Sequence, residues 1–262
     1  MPTLDINTEV EKLRSMYTSD PRSKTFNAVV YGGLGTGKTS LIRTARKPVL
    51  VHSFDPGGTK VLRDEIADGS ILADTRFENE DPRNPTAFKL FDDEYHRLRS
   101  GKFFDHLGTY VIDSVTTWGQ CAMNAVLKKA GRAGGTPQQN DWMPQMMMME
   151  NAMRDFVSLP CDCILIGHDD VTKDEASGRM FVGLMITGKL SRRVPLLFDE
   201  IYCALTKETS KGIEYQLLTR ATGMYQARSR LGKGGELETY EKPDIKHILA
   251  KVGMDTDDKP NL

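Results

Sequence analysis

The sequence predicts an α/β fold: a mainly parallel sheet with helices on both faces and antiparallel strands at its C-terminal edge. Three observations support it. β-rich runs alternate with helix-length amphipathic segments along most of the chain. Several of those runs are apolar throughout, as strands covered on both faces are. The last two runs, residues 200–205 and 212–219, lie close together in sequence and read as an antiparallel pair.

A short charged helix is expected over 6–16, followed by the polar linker Thr18-Ser19-Asp20-Pro21-Arg22-Ser23-Lys24. The run Phe26-Asn27-Ala28-Val29-Val30-Tyr31 is β-rich and ends in glycines. A helix runs from Lys38 to about Ala45, broken before Pro48. Residues 49–54 form a second strand, and Asp55-Pro56-Gly57-Gly58 is turn chemistry. Residues 59–67 put Val61, Leu62 and Ile66 on one helical face, and a polar loop over 79–85 precedes an amphipathic helix to about Arg99. Thr109-Tyr110-Val111-Ile112 is a buried strand ending at Asp113. The next helix carries Trp118, Cys121, Ala122, Ala125 and Val126 at helical spacing. Residues 131–140 are a flexible loop, and Pro144 suits the first turn of a helix over 144–157. The methionine run from 146 to 149 reads as core filling or as an adaptable surface. Residues 161–167 are another apolar strand, and 169–186 a polar loop or hairpin turning at Ser177-Gly178. A last helix over 244–252 leads to an acidic, frayed tail.

A chain of 262 residues suits one large α/β domain, and a net charge of −1 argues against an electrostatic sponge for nucleic acid, though not against a local basic groove. Neither a membrane-spanning run nor a signal peptide is visible, so the expected location is cytoplasmic. Cys121, Cys161, Cys163 and Cys203 lack zinc-ligand spacing and read as packing thiols.

Gly32-Gly33-Leu34-Gly35-Thr36-Gly37-Lys38-Thr39 fits G-x-x-x-x-G-K-[ST] in full, between an apolar strand and an amphipathic helix. Glycines let the backbone curl until successive N–H groups surround a phosphate, and a helix N-terminus adds a favourable dipole. Gly32, Gly33, Gly35, Thr36, Gly37, Lys38, Thr39 and Ser40 are therefore the expected nucleotide-binding residues. Lys38 would neutralise β- and γ-phosphate oxygens, and the Thr39 hydroxyl would ligate Mg²⁺. Asp113, closing a neighbouring strand, is the expected second metal ligand. Its alternative role is to cap the following helix, which Ser114 or Thr116 could do instead.

Val111-Ile112-Asp113-Ser114-Val115 resembles the V-D-S-V stretch of RecA-like recombinases. The helix 146–156 and the strand Ile164-Leu165-Ile166-Gly167-His168 are similar to the helix and sensor strand that come after it there. Thr187-Gly188-Lys189-Leu190 and Phe198-Asp199-Glu200 look like the G-K-L … F-D-E block of phage-encoded RecA-like ATP-binding proteins of the single-strand annealing and recombination type.

The resemblance implies a RecA-like P-loop ATPase core over 25–222, with an N-terminal helix and linker over 1–24 and a C-terminal tail over 223–262. It implies ATP and Mg²⁺ as ligands, single-stranded DNA as partner, self-association as a ring or filament, and residence in a bacterial host's cytoplasm. Asp55 takes the place of the family's water-activating glutamate, and His168 that of its phosphate-sensing glutamine. Lys38, Asp55, Asp113 and His168 are thus the catalytic candidates. Turn-forming alone would also explain Asp55, and an interior polar group His168. DNA would meet the loops 131–140 and 169–186 through Arg132, Lys173 and Arg179, although Asp169, Asp170, Asp174 and Glu175 make the second loop acidic. Arg228 and Arg230 would reach a neighbour's ATP. The alternative readings are a nucleotide-dependent assembly switch with little turnover and a P-loop kinase.

Overall fold

The computed structural model describes residues 4–20, 23–173, 175, 178–232 and 234–262. In chain order the elements are α1 (Ile6–Ser19), β1 (Asn27–Tyr31), α2 (Lys38–Leu41), β2 (Val49–Ser53), α3 (Arg63–Ala67), β3 (Ile71–Asp74), α4 (Ala87–Ser100), β4 (Thr109–Asp113) and α5 (Val115–Lys129). Then come α6 (Trp142–Phe156), β5 (Asp162–Gly167), β6 (Asp169–Lys173), β7 (Met180–Leu184), α7 (Leu190–Leu197), β8 (Glu200–Thr209), β9 (Gly212–Leu218), β10 (Arg228–Ser229), β11 (Tyr240–Glu241) and α8 (Ile245–Lys251).

The main sheet runs β11-β9-β8-β1-β5-β4-β2-β3, with β10 beside β8. From β8 across to β3 every pairing is parallel, while β9, β10 and β11 pair antiparallel at the edge that the sequence predicts. β1, β2, β4 and β5 are buried at every position. Successive side chains on a strand point to opposite faces, and the two apolar cores divide accordingly. Val29, Tyr31, Leu50, Tyr110, Ile112, Cys163 and Leu165 join the aromatic core on one face. Ala28, Val30, Val49, Val51, Val111, Ile164 and Ile166 join an aliphatic core on the other.

Burial leaves a few charges that must be paired. Asp162 at the start of β5 is fully buried and accepts from Phe26 N–H (2.8 Å), Arg46 Nε (2.7 Å) and the Arg46 guanidinium Nη2. In the aromatic core, His52 meets the Tyr110 hydroxyl through Nδ1 at 2.8 Å.

Several expectations are corrected. The helix after the glycine run is only α2, continued by a 3₁₀ turn over Ile42–Thr44. The expected helix over 59–67 is a 3₁₀ turn over Gly58–Leu62 followed by α3. β3 was not foreseen; its register with β2 extends the parallel sheet by one strand. Nor does the chain after 222 form a separate tail. β10 and β11 join the sheet, and α8 buries Ile245, Ile248 and Leu249 in the aliphatic core. The acidic end is fastened as well: Asp258 accepts from Lys47 N–H at 2.6 Å and pairs with Lys246 at 2.7 Å.

The segment 169–186 is a hairpin in which β6 and β7 pair antiparallel; the expected turn residue Ser177 and the acidic Asp174 lie outside the described residues, as do Pro21 and Arg22 of the linker. Met149 and Met153 fill the core, whereas Met147 is exposed. No residue of α1 is buried. Among the described residues no helix is long and apolar enough to cross a membrane.

Candidate nucleotide site

Parallel pairing puts the C-terminal ends of β1, β2, β4 and β5 on one edge of the sheet, where open α/β sheets bind ligands. The glycine loop leaves β1, Asp55 follows β2, Asp113 closes β4 and His168 follows β5. These residues line one cavity of about 490 Å³ together with Tyr215 and Pro243.

The loop needs its glycines for two different reasons. A Cβ on Gly32 would sit 2.4 Å from the Ala204 carbonyl oxygen of β8, closer than atoms can approach. Gly37 has φ +82°, in the left-handed region, and a Cβ there would press on the Tyr215 ring at 3.1 Å. Because α2 has only four residues, its dipole would add little, and a phosphate here would depend on the backbone N–H groups of the loop. Lys38 is buried, and its Nζ donates to the Gly32 and Gly33 carbonyls, each at 2.7 Å. Burial pulls its pKa down, opposed by the carboxylates of Asp113, Asp169 and Asp55.

Thr39 Oγ1 donates to Asp113 Oδ2 at 2.7 Å. Burial pushes the Asp113 pKa up to about 6, with the Thr39 hydrogen bond opposing and the Asp55 charge adding to the rise. A cation beside this carboxylate would stabilise its charged form. Among the described residues no three His, Cys, Asp or Glu side chains cluster as a metal cage. The paired oxygens of Thr39 and Asp113 suit Mg²⁺, which is held by one or two protein oxygens plus phosphates and water. The N-cap of α5 is Ser114, whose side chain accepts from Thr117 N–H, so Asp113 is not needed as a cap.

Asp55 and His168, 113 positions apart, are in contact: Nε2 of the ring lies 3.1 Å from Asp55 Oδ2. Asp55 Oδ1 accepts from Ser114 Oγ at 2.9 Å and from Thr117 Oγ1. Burial would raise the Asp55 pKa, but the hydrogen bonds from His168, Thr117 and Ser114 outweigh it and hold the carboxyl below its ordinary range.

Sequence reasoning missed Thr117 and Tyr215. Thr117 carries the Ser-x-x-Thr spacing of a helix start, which could have pointed to it. Tyr215 has no local signal, since only the β8–β9 register brings it beside the loop. Sequence reasoning also read Asp169 only as an acidic residue of the second loop, whereas both its carboxylate oxygens lie 3.9 Å from the Cβ position of Gly33.

The more distant candidates are dispersed. Arg132 Nη2 is 2.5 Å from Asp141 Oδ1 and fastens its own loop. Lys173 and Arg179 are exposed at the far end of the β6–β7 hairpin. Two hollows instead meet at Trp142 and Thr187, lined by Met143, Met146, Met185, Lys189 and Arg193 but by none of those three cations. Arg228 donates to the Pro195 and Phe198 carbonyls at 2.9 and 2.7 Å, and Arg230 to Asp199 and the Leu196 carbonyl at 3.2 Å each. Both guanidinium groups thus brace the α7–β8 corner of their own chain.

Among solved structures, similarity extends to a KaiC-like protein from the hyperthermophilic archaeon Pyrococcus horikoshii OT3, with 13% identity, TM-score 0.41 and coverage of 79% of this chain and 82% of that one. An ATPase of the type III secretion system of pathogenic bacteria matches at 12% identity and TM-score 0.45, over 83% of this chain and 56% of that one. The flagellar accessory protein FlaH from Methanocaldococcus jannaschii matches at 10% identity and TM-score 0.40, over 78% and 83%. No curated relative matches the sequence. A family model described as an AAA domain matches residues 24–231, which span the glycine loop, the Asp113 strand and, of the antiparallel edge, β9 and β10 but not β11. On that match the chain belongs to the AAA domain family of P-loop NTPases.

Proposed function

We propose that this chain binds ATP with Mg²⁺ through Lys38, Thr39 and Asp113, hydrolyses it, and works as an assembly on single-stranded DNA in recombination, annealing or repair. The observation that carries the nucleotide reading is the 2.7 Å hydrogen bond from Thr39 to Asp113 at the foot of a full-length glycine loop. It brings together the two oxygens that a P-loop protein needs for its metal. Mg²⁺ would supply charge neutralisation at the phosphates. The backbone N–H groups of residues 33–39 orient them, and Lys38 turns from the loop carbonyls to the phosphate oxygens.

The DNA part rests on the exposed groove. Trp142 is 40% exposed, methionines surround it, and Lys189 and Arg193 flank it. A base can stack on the indole while the cations meet phosphates. Self-association is supported by α1, whose Ile6, Val10, Leu13 and Met16 are exposed and, among the described residues, are not buried against the chain's own core. Arg228 and Arg230 could serve a neighbour's site only after leaving their carbonyl partners.

One observation favours the assembly switch: both oxygens of Asp55 are taken by hydrogen bonds, so this carboxylate is a poor base for water. Mg²⁺-dependent phosphate release, with and without single-stranded DNA and beside Lys38→Ala, separates the readings. DNA-stimulated release that vanishes in the variant is expected. Binding without turnover, indifferent to DNA, would leave the switch.

A further inference from the structure

We infer that His168, oriented by Asp55, takes the proton from the water that attacks the γ-phosphate, and that Asp55 is a positioning residue and not the base. The inference rests on the hydrolysis reading above.

A carboxylate only accepts hydrogen bonds, so the ring nitrogen that faces Asp55 at 3.1 Å must carry a proton. That fixes the neutral imidazole as the Nε2–H tautomer and leaves the lone pair on Nδ1. Among the described residues Nδ1 has no partner, and the ring lines the same cavity as Lys38 and Asp113. Asp55 cannot turn to a water without giving up its bonds from Ser114, Thr117 and His168. The backbone of His168 is held too, its N–H donating to Thr116 Oγ1 at 3.1 Å. β5, which His168 follows, lies between the loop strand β1 and the Asp113 strand β4. The charged groups sharing the site are Asp55 after β2, Asp113 on β4, Lys38 on α2 and Asp169 on β6.

In the step, the water oxygen bonds to the γ-phosphorus. The bond from that phosphorus to the bridging oxygen breaks, its electron pair leaving with ADP. The water proton moves to Nδ1, and Asp55 faces the resulting imidazolium. No carboxylate changes its protonation. The arrangement replaces a glutamate by an imidazole with a carboxylate behind it.

The test is steady-state ATP hydrolysis by His168→Gln, by Asp55→Asn and by the double variant, with binding of a fluorescent ATP analogue measured on each. Glutamine retains an N–H for a phosphate but offers no base. We expect kcat to fall about 100-fold in His168→Gln, with analogue binding and KM preserved. Asp55→Asn should lower kcat, and in the His168→Gln background it should add nothing, because both changes disable one unit. A His168→Gln protein as fast as the unaltered chain overturns the inference, as do losses that simply multiply in the double variant. Absence of turnover in the unaltered chain overturns the hydrolysis reading itself, which is a separate result.

Discussion

Thr39 and Asp113 lie 74 positions apart in sequence, yet their side-chain oxygens are 2.7 Å apart in the fold. The contact arises because β1 and β4 both flank β5 and run in the same direction, so the loop leaving β1 meets the C-terminal end of β4. Burial, opposed by this same hydrogen bond, makes Asp113 a carboxyl whose charge the protein alone stabilises poorly, with a pKa of about 6 against an ordinary 3.8.

That raised pKa makes the nucleotide-free protein sensitive to pH. Between pH 4 and 6 the native state keeps a proton on Asp113 that the unfolded chain has released, so stability falls as pH rises through that window. The loss contributed by this group is on the order of 1–3 kcal/mol. Asp113→Asn should remove that part of the slope and raise the melting temperature above pH 6, while lowering Mg²⁺-dependent turnover about 100-fold. Thermal melts across pH, paired with phosphate release, check both halves; an unchanged slope contradicts the assignment.

Gly32→Ala should be harmful even before any ligand is added. Its methyl would sit 2.4 Å from the Ala204 carbonyl oxygen, so loop or strand must move. We expect a loss of about 1–3 kcal/mol in denaturant unfolding, together with loss of stabilisation by added ATP. Normal stability would mean that the loop and β8 yield more easily than their contact suggests.

Arg46→Met should destabilise strongly at the opposite end of the sheet. Removing the guanidinium leaves Asp162, fully buried, with the Phe26 N–H and the more distant Lys259 charge as its remaining support. The expected cost is about 3–5 kcal/mol, and adding Asp162→Asn should recover part of it. Urea titration of the single and double variants measures this.

For the groove, Trp142→Ala should weaken single-stranded DNA binding about tenfold or more, as loss of one stacked base does. Replacing Lys189 and Arg193 by Ala should reduce the slope of log affinity against log salt by about 1.4, reflecting two phosphate contacts. Fluorescence anisotropy at several salt concentrations reads both. Unchanged affinity in all variants removes DNA from this surface.

The features readable in the sequence were those whose cause is local. The glycine loop and the strand ending at Asp113 each declare themselves within a dozen residues, the alternation of helix and strand is the sum of such local patterns, and each is present. β3, β10 and β11 are two to four residues long and exist only because a longer neighbour offers its free edge. α8 read correctly as a helix, but its three buried residues gain a core only through contacts with segments far earlier in the chain. The same holds for the ring of donors around Asp55. Ser114 and Thr117 on one side and His168 on the other converge only when β2, β4 and β5 are ordered side by side.

β8 touches the glycine loop at Ala204 and then continues beyond its pairing with β1 to Thr209, where β9 turns back and carries Tyr215 to Gly37. Its first half is immobilised in the core, and its second half is an exposed ribbon. The hairpin therefore walls one side of the loop: the Ala204 carbonyl forbids a side chain at Gly32, and the Tyr215 ring crowds one at Gly37.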